Sequence, residues 1–231
     1  MFKYTADSDS SYCLGMSLTI EALKHIPDKI INICLSSKVN RNSQSSLLFD
    51  LCEKNKIEYF YDDDLIDRLS LKENCYCIGF FNKFHNQLNS SNHIVLYSFN
   101  DYGELGTVLR SAVSFDFCDI VLIDSNIDYF DPRCVRASVG SIFLTNIVKF
   151  NTFDEYLNAY PNQNVYPFVS HSESKLNDIK VKEPFSLILP QRFDDLDSRF
   201  NNGFSITLKE DNGISLSSLS AIAISYFYHQ I

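Results

Sequence analysis

Asp119–Ile123 reads DIVLI, and this short run is apolar at four consecutive positions. A strand with one face in water alternates polar and apolar residues, whereas a continuous apolar run is typical of a parallel sheet covered on both faces. Before this run, residues 103–115 place apolar side chains at helical spacing, and residues 93–99 form another strand-like run. Strands that alternate with helices in this way predict an α/β fold with a parallel sheet.

The same alternation extends towards both ends of the chain. Further strands are predicted at 29–35, 57–61, 75–81, 164–169, 184–189 and 204–208. Helices are predicted at 45–55, 63–69 and 215–228, and a short helical stretch ends at His25. Residues 82–92 (NKFHNQLNSSN) are polar and rich in Asn and Ser, a composition typical of a linker. We therefore predict two α/β domains, the smaller one first, at residues 1–84 and 93–231, joined by a linker at 85–92.

Composition excludes several classes of protein. The 231 residues are 45% hydrophobic and 21% charged, as in an ordinary globular protein, so wholesale disorder is excluded. The 7 glycines are scattered and form neither a P-loop nor a GxGxxG dinucleotide motif. The formal net charge of -9 argues against nonspecific binding to nucleic acid, which clustered cations drive, but it leaves room for a local basic patch.

The cysteines and histidines predict no metal site. None of the 7 cysteines forms a CxxC pair, and the 5 histidines show neither HxxxH nor HExxH spacing. Reduced cysteines that pack as small apolar side chains are typical of a cytosolic protein. The chain shows no signal-peptide pattern and no apolar run of about 18 residues, so we expect a soluble, cytoplasmic protein that does not associate with membranes.

Two segments carry a family resemblance. DYGELGTVLR at 101–110 is similar to the pattern D-x-x-N-L-G-T-x-x-R, and DYFDPRCVRASVGSIF at 128–143 is similar to D-P-F-x-P-K-x-V-R-A-S-x-G-A-x-F. Both patterns belong to the SpoU/TrmH class of the SPOUT superfamily, the RNA 2'-O-ribose methyltransferases. NVYPF at 164–168, EPFSLIL at 183–189 and SLSSLSAIA at 215–223 follow in the order of that class. Residues 11–30 resemble the small L30e/L7Ae-like domain that precedes many members.

This resemblance implies a deep trefoil knot in the C-terminal domain, one of the rare exceptions to unknotted chain paths. It also implies a homodimer, formed through the C-terminal domain, whose active sites use residues of both chains. The cofactor implied is S-adenosylmethionine, and the substrate implied is rRNA or tRNA. A ribose 2'-hydroxyl would attack the sulfonium methyl group in line, so the protein has to position that hydroxyl and remove its proton.

The resemblance also assigns site residues. Arg110 aligns with the catalytic arginine of the first motif, and Ser215 aligns with a helix-start serine that assists it. Read from the pattern alone, Arg110 is a surface arginine that meets solvent or an aspartate, and Ser215 is an N-cap. The segments that would hold the cofactor contain Leu189, Pro190, Thr207, Leu208, Leu216 and Ser217. The candidate RNA-binding cations are Lys38, Arg41, Arg133 and Arg136.

The sequence departs from the family patterns around the cofactor. Glu104 replaces the asparagine of the first motif, and PQRFDD at 190–195 replaces the glycine-rich G-N-E-G-x-G. Glycine lets a backbone approach a ligand closely, and Pro190 lacks an N–H donor. Two hypotheses follow: an RNA 2'-O-methyltransferase, or a non-catalytic relative that binds RNA or a protein partner without the cofactor. A third is a pocket reshaped for another small ligand, with Arg192 facing an anion.

Overall fold

The computed structural model describes residues 4–40, 42–70, 74–89, 91–169, 172–192, 196, 200, 203–206 and 214–231. The described chain divides into two compact units. The first contains residues 1–84 and 128–144, and the second contains residues 85–127 and 145–231.

The helices and strands follow the alternation predicted from the sequence. Along the chain they are β1 (Ser10–Leu14), α1 (Met16–His25), β2 (Ile30–Leu35), α2 (Ser43–Asn55), β3 (Tyr59–Tyr61), α3 (Asp63–Leu69), β4 (Cys77–Asn82), β5 (His93–Tyr97), α4 (Tyr102–Ser114), β6 (Asp119–Ile123), α5 (Pro132–Ala137), β7 (Asn146–Phe150), α6 (Phe153–Ala159), β8 (Asn164–Pro167), β9 (Phe185–Pro190) and α7 (Leu216–Tyr228). The predicted elements at 63–69 and 119–123 are confirmed to the residue.

The first unit is built on a four-stranded sheet in the order β1-β4-β2-β3. It is mixed rather than parallel: β4 runs antiparallel to β1 and β2, and only β2 and β3 are parallel. The prediction of a parallel sheet was wrong for this unit because apolar periodicity reports burial and not strand direction. Helix α1 lies close to the sheet, since a Cβ added at Gly79 would approach Thr19 Cγ2 to 2.9 Å.

Residues 128–144 pack with the first unit, although the sequence analysis placed them in the second domain. The Ser11 hydroxyl donates a hydrogen bond to the Phe130 carbonyl at 2.5 Å, and Lys83 forms an ion pair with Asp128 at 2.8 Å. The rings of Phe81 and Phe143 meet edge to face at 5.5 Å. Apolar side chains of this segment thus complete the core beside β1 and β4, a contact that sequence spacing cannot reveal.

The second unit is an α/β structure with a five-stranded sheet in the order β7-β6-β5-β9-β8. Every pair of neighbouring strands is parallel, as predicted. The inner strands β6 and β9 are buried along their whole length, and the central strand β5 is buried at all but its last residue. Helices α4 and α7 pack against each other. Residues 146–150 and 153–159 form β7 and α6, which the sequence analysis did not predict.

The strand predicted at 204–208 is wrong for the described residues, because only two isolated bridges form there, at Phe204 and Ser205. Residues 207 and 208 lie outside the described part of the chain. The short segment 203–205 lies between two other stretches of the chain. Phe204 N–H donates to the Pro167 carbonyl at 2.9 Å on one side, and Ser205 N–H donates to the Ser174 carbonyl at 3.1 Å on the other.

No helix within the described ranges is long and apolar enough to cross a membrane.

We expect Gly203→Ala to destabilise the protein. A Cβ at this position would lie 2.2 Å from the Pro167 carbonyl oxygen and 2.9 Å from Val169 Cγ1, so segment 203–205 and the end of β8 have to move apart. Overpacking of this kind costs about 1–3 kcal/mol in the free energy of unfolding, which urea denaturation measures.

Gly103→Ala is the matched control for this substitution. Its Cβ would meet only a side-chain oxygen, Asp101 Oδ1 at 3.2 Å, and alanine favours the helix by about 0.5–1 kcal/mol over glycine. Equal stability of the two variants would show that segment 203–205 is not tightly packed against β8.

Candidate active site

The carboxyl ends of β5 and β9 lie side by side in the second unit, where Tyr97 is paired with Pro190. Immediately beyond this pair, the Gln191 N–H donates to the Tyr97 carbonyl at 2.9 Å, and the Gln191 side-chain oxygen accepts a hydrogen bond from the Asn100 N–H. The segment that follows β9 is therefore tied to the loop that leads into α4. Ligands of open parallel sheets bind at the carboxyl ends of the strands, so we place the candidate site here.

Helix α4 begins directly after this loop and carries Arg110. The Asp101 side chain caps the helix by accepting from the Glu104 N–H at 2.7 Å. Arg110 lies on the exposed face, and its guanidinium group makes no hydrogen bond or ion pair within the part of the chain that the structure describes. The sequence analysis allowed for a surface arginine that meets either solvent or an aspartate. Among the described residues, Arg110 forms no ion pair with an aspartate. Arg110 is the ninth of the thirteen residues of α4, about 12 Å along the axis from the start of the helix, and a long helical side chain points back towards that start.

Glu104, which stands where the family pattern has asparagine, lies in the first turn of α4 and is partly buried. Burial raises the pKa of its carboxyl group, and the neighbouring Asp101 raises it further. The site therefore holds an acidic side chain whose charged form is disfavoured, although the N-terminal end of a helix normally favours a carboxylate.

Helix α7 begins at the second predicted catalytic residue. Ser215 is exposed and caps the helix by accepting from the Ser218 N–H at 3.2 Å, which confirms the N-cap reading. Its hydroxyl oxygen also lies 3.0 Å from the Ser217 Oγ and 2.8 Å from the Ser218 Oγ. The side chain of Leu216 is buried. Because the C-terminal ends of the packed helices α4 and α7 meet, with the rings of Phe115 and Tyr228 5.5 Å apart, both N-terminal ends point to the same end of the unit.

Of the segments that would hold S-adenosylmethionine, the start of α7 offers free hydrogen-bonding groups and the end of β9 does not. The hydroxyls at the start of α7 are open to a ligand. At the end of β9, Leu189 and Pro190 are buried, and Pro190 has no N–H. Gln191 donates its N–H to β5, and the alternation of a parallel ladder directs the Leu189 N–H to β5 as well. Residues 189–191 thus have no free backbone donor, while Thr207 and Leu208 lie outside the described residues.

The predicted RNA-binding residues with described positions all lie in the first unit. Lys38 is exposed, and Arg41 lies outside the described residues. Arg133 on α5 is committed to Asp131, with Nε–Oδ1 and Nη2–Oδ2 distances of 2.9 and 2.8 Å. Burial opposes ionisation of Asp131, but these bonds hold its pKa below the ordinary value. Arg136 is exposed and, like Lys38, makes no side-chain hydrogen bond or ion pair among the described residues.

The end of α5 contains a strained residue that the sequence analysis did not single out. Val139 has a φ of 51° and Gly140 a φ of 94°, so both adopt the left-handed region. A β-branched residue rarely occupies this region. Gly140 also allows close packing, because an added Cβ would lie 3.0 Å from Glu21 Cβ. The dipeptide VG directly after a short helix was the available signal, since glycine commonly follows a helix end.

Comparisons with known proteins find one protein family and several solved structures that resemble this chain. Residues 91–190 match the SpoU rRNA Methylase family. An rRNA methyltransferase from Sinorhizobium meliloti superposes with a TM-score of 0.77 at 18% identity, over 97% of this chain and 89% of that one. The SpoU methyltransferase AviRb from Streptomyces viridochromogenes gives a TM-score of 0.78 at 13% identity, over 96% and 90% of the two chains.

A third solved structure, of a Porphyromonas gingivalis protein assigned to the TrmH family of RNA methyltransferases, gives a TM-score of 0.78 at 16% identity, over 96% of this chain and 91% of that one. The Sinorhizobium and Streptomyces proteins have also been solved with AdoMet bound. At these identities the similarity shows a shared fold. No curated protein sequence matches the chain.

We expect Val139→Gly to stabilise the first unit. Glycine adopts a φ of 51° without steric cost, whereas a strained backbone conformation of this kind costs about 1–3 kcal/mol. The greater backbone freedom of glycine in the unfolded chain offsets part of this gain, so the free energy of unfolding should rise by about 0.5–1 kcal/mol. Val139→Ala keeps the Cβ and should gain less. A Gly variant less stable than the Ala variant would contradict the strain.

Proposed function

We propose that the chain methylates the 2'-hydroxyl of a ribose in rRNA or tRNA, because residues 91–190 match the SpoU rRNA Methylase family. The observation that carries the proposal is Arg110, an exposed guanidinium without a partner among the described residues, on the helix that starts at the carboxyl ends of the parallel strands. A free cation on this helix suits the phosphate of a bound RNA, because a guanidinium group binds phosphate with two parallel hydrogen bonds.

The chemistry of Arg110 limits its role. A guanidinium group stays protonated in proteins, so Arg110 cannot itself accept the proton of the 2'-hydroxyl. It would hold an RNA phosphate beside that hydroxyl, so that a phosphate oxygen takes the proton as the attack proceeds, and it would stabilise the developing negative charge on the ribose oxygen. Ser215 would orient the attacking oxygen from the start of α7. S-adenosylmethionine, when bound, supplies the methyl group.

The candidate cofactor residues are those at the start of α7 and the end of β9, together with Thr207 and Leu208. Ser217 would donate a hydrogen bond, and Leu216 and Leu189 would form apolar walls. Known structures of two relatives with AdoMet bound support the choice of cofactor. Lys38, Arg41, Arg133 and Arg136 would add contacts to RNA phosphates, with the first domain, 1–84, acting as an L30e-like substrate-binding module.

A homodimer and a trefoil knot complete the proposal. Segment 203–205 lies between the end of β8 and residues 172–176, as expected of a chain that passes through a loop. Ile222 on α7 is 43% exposed, which favours a partner on that helix.

Analytical ultracentrifugation measures whether the protein forms a dimer in solution. Mixing an inactive Arg110 variant with an inactive Ser215 variant should restore part of the activity if each site combines both chains. We place the protein in the cytoplasm.

One observation favours a second function, a non-catalytic relative that binds RNA or a protein partner. Residues 189–191 have no free backbone donor for a ligand. Isothermal titration with S-adenosylmethionine and S-adenosylhomocysteine separates the two. Micromolar binding supports the enzyme, and no heat at millimolar ligand together with retained RNA binding supports the non-catalytic relative.

Arg110→Ala should abolish most methyl transfer. The assay measures labelled methyl groups transferred from S-adenosylmethionine to total cellular RNA. Loss of one charge-stabilising donor lowers the rate by about 10²–10³-fold. Arg110→Lys keeps the charge without the two-pronged geometry and should recover only part of the rate. Arg68→Ala removes another exposed arginine and is the matched control. Equal activity of the Arg110→Ala and Arg68→Ala variants would exclude the assigned role.

Substitutions of Ser215 separate its two roles. Ser215→Ala removes the cap and should lower the free energy of unfolding by about 1 kcal/mol. Ser215→Asn keeps the cap, because asparagine is an equally good N-cap residue, but it removes the hydroxyl. We expect wild-type stability and reduced methyl transfer for Ser215→Asn. Full activity in this variant would show that Ser215 acts only as a helix cap.

A further inference from the structure

A cavity of about 370 Å³ lies at the other end of the second unit, where the parallel strands begin. It is bounded by the start of β6 and by the C-terminal ends of α4 and α7. Its lining contains two aspartates and no lysine or arginine. None of the residues assigned to methyl transfer lines it, so any ligand it takes is separate from that reaction.

Three aromatic rings form one wall of this cavity. Tyr228 lies 5.5 Å from Phe115 and 6.5 Å from Phe117, measured between ring centroids. Tyr228 is 43% exposed, so its ring is accessible at the rim. The face of an aromatic ring attracts a cation, and the attraction grows when the cation leaves bulk water.

A buried carboxylate forms another wall. Asp119 is 3% exposed, and its oxygens accept hydrogen bonds from the Asn89 N–H at 3.1 Å, the Ser91 hydroxyl at 2.7 Å and the Asn146 side-chain amide at 2.7 Å. These donors suit an ionised carboxylate, which only accepts. All of them are neutral, and Asp119 has no ion pair among the described residues. Among the described residues, the Asp119 carboxyl group is therefore bonded only to neutral donors.

Further negative charge converges on the same cavity. Asp116 is exposed and its carboxylate has no partner in the described part of the chain. Two 13-residue helices, α4 and α7, end here, and a helix C-terminus carries a partial negative charge. The pKa of the Cys118 thiol is raised by its burial and then by both aspartates, which indicates that their field reaches the lining.

We propose that this cavity binds the guanidinium group of an arginine side chain that a partner protein presents. A guanidinium group is planar, stacks on aromatic rings and donates two hydrogen bonds to a carboxylate, so the rings and Asp116 offer complementary surfaces. Apolar side chains at the rim, such as Ile231 at 52% exposure, suit the residues that flank an arginine in a peptide. RNA phosphates are repelled here. The proposal does not depend on methyl transfer.

The test is an NMR titration of the full ¹⁵N-labelled protein with acetyl-Gly-Arg-Gly-amide. The matched probe replaces arginine with citrulline, which has nearly the same shape but no charge. We expect saturable shifts of the amides of residues 115–118 and 228–229 with the arginine peptide and none with the citrulline peptide. Equal shifts with both peptides, or shifts elsewhere only, would overturn the proposal. Binding of spermidine as tight as that of the peptide would assign the cavity to polyamines instead.

Variants identify the groups that bind. Asp116→Asn should lower the affinity for the arginine peptide by about threefold or more, as expected for loss of an exposed ion pair. Tyr228→Leu should lower the affinity for the arginine peptide by a similar factor of about three. Tyr228→Phe keeps the aromatic face and should bind the peptide like the wild type. Glu173→Gln, at an exposed position outside the cavity, is the control for net charge. Unchanged affinity in both Asp116→Asn and Tyr228→Leu would refute the assignment.

Discussion

The pairing of β5 with β9 is the interaction on which the second unit depends. These strands are about ninety residues apart in sequence, yet they lie side by side at the centre of the sheet, from His93 beside Ser186 to Tyr97 beside Pro190. Because both faces of the sheet are covered, a slip in this pairing would move buried leucines and isoleucines to new neighbours. The register also fixes which loops meet at the carboxyl ends, so the position of α4, and with it Arg110, follows from this ladder.

The sequence predicted most of the elements because their local signals were strong. Helix α3 was placed to the residue, since aspartates at its start suit the helix dipole and Asp62 accepts from the Leu65 N–H. Strand β7 was missed because it lies at the edge of its sheet and is only partly buried, with Lys149 exposed. Segment 203–205 resembled a strand, but its neighbours are single residues of two other stretches rather than a strand. Such contacts depend on the path of the chain.

For the candidate site, the sequence indicated individual residues but not how distant segments of the chain pack together. The resemblance nominates Arg110 and Ser215, and the structure shows both residues exposed at positions where periodicity alone indicates a solvent-facing arginine and a helix cap. The missing backbone donor at Pro190 could be predicted from the sequence, because proline lacks an N–H in any fold. The attachment of residues 128–144 to the first unit could not be read, since their packing on Phe81 depends on residues far away in the sequence.

The polarity of a parallel α/β unit relates the two proposed sites. All five strands begin at one end of the sheet and finish at the other, and α4 and α7 run in the opposite direction. Helix N-termini with partial positive charge therefore collect at the carboxyl ends of the strands, and helix C-termini with partial negative charge collect where the strands begin. Asp116 and Asp119 add negative charge to the second end. The same topology thus orients the helix dipoles to favour an anionic group at one end of the unit and a cation at the opposite end, in a protein whose formal net charge is -9.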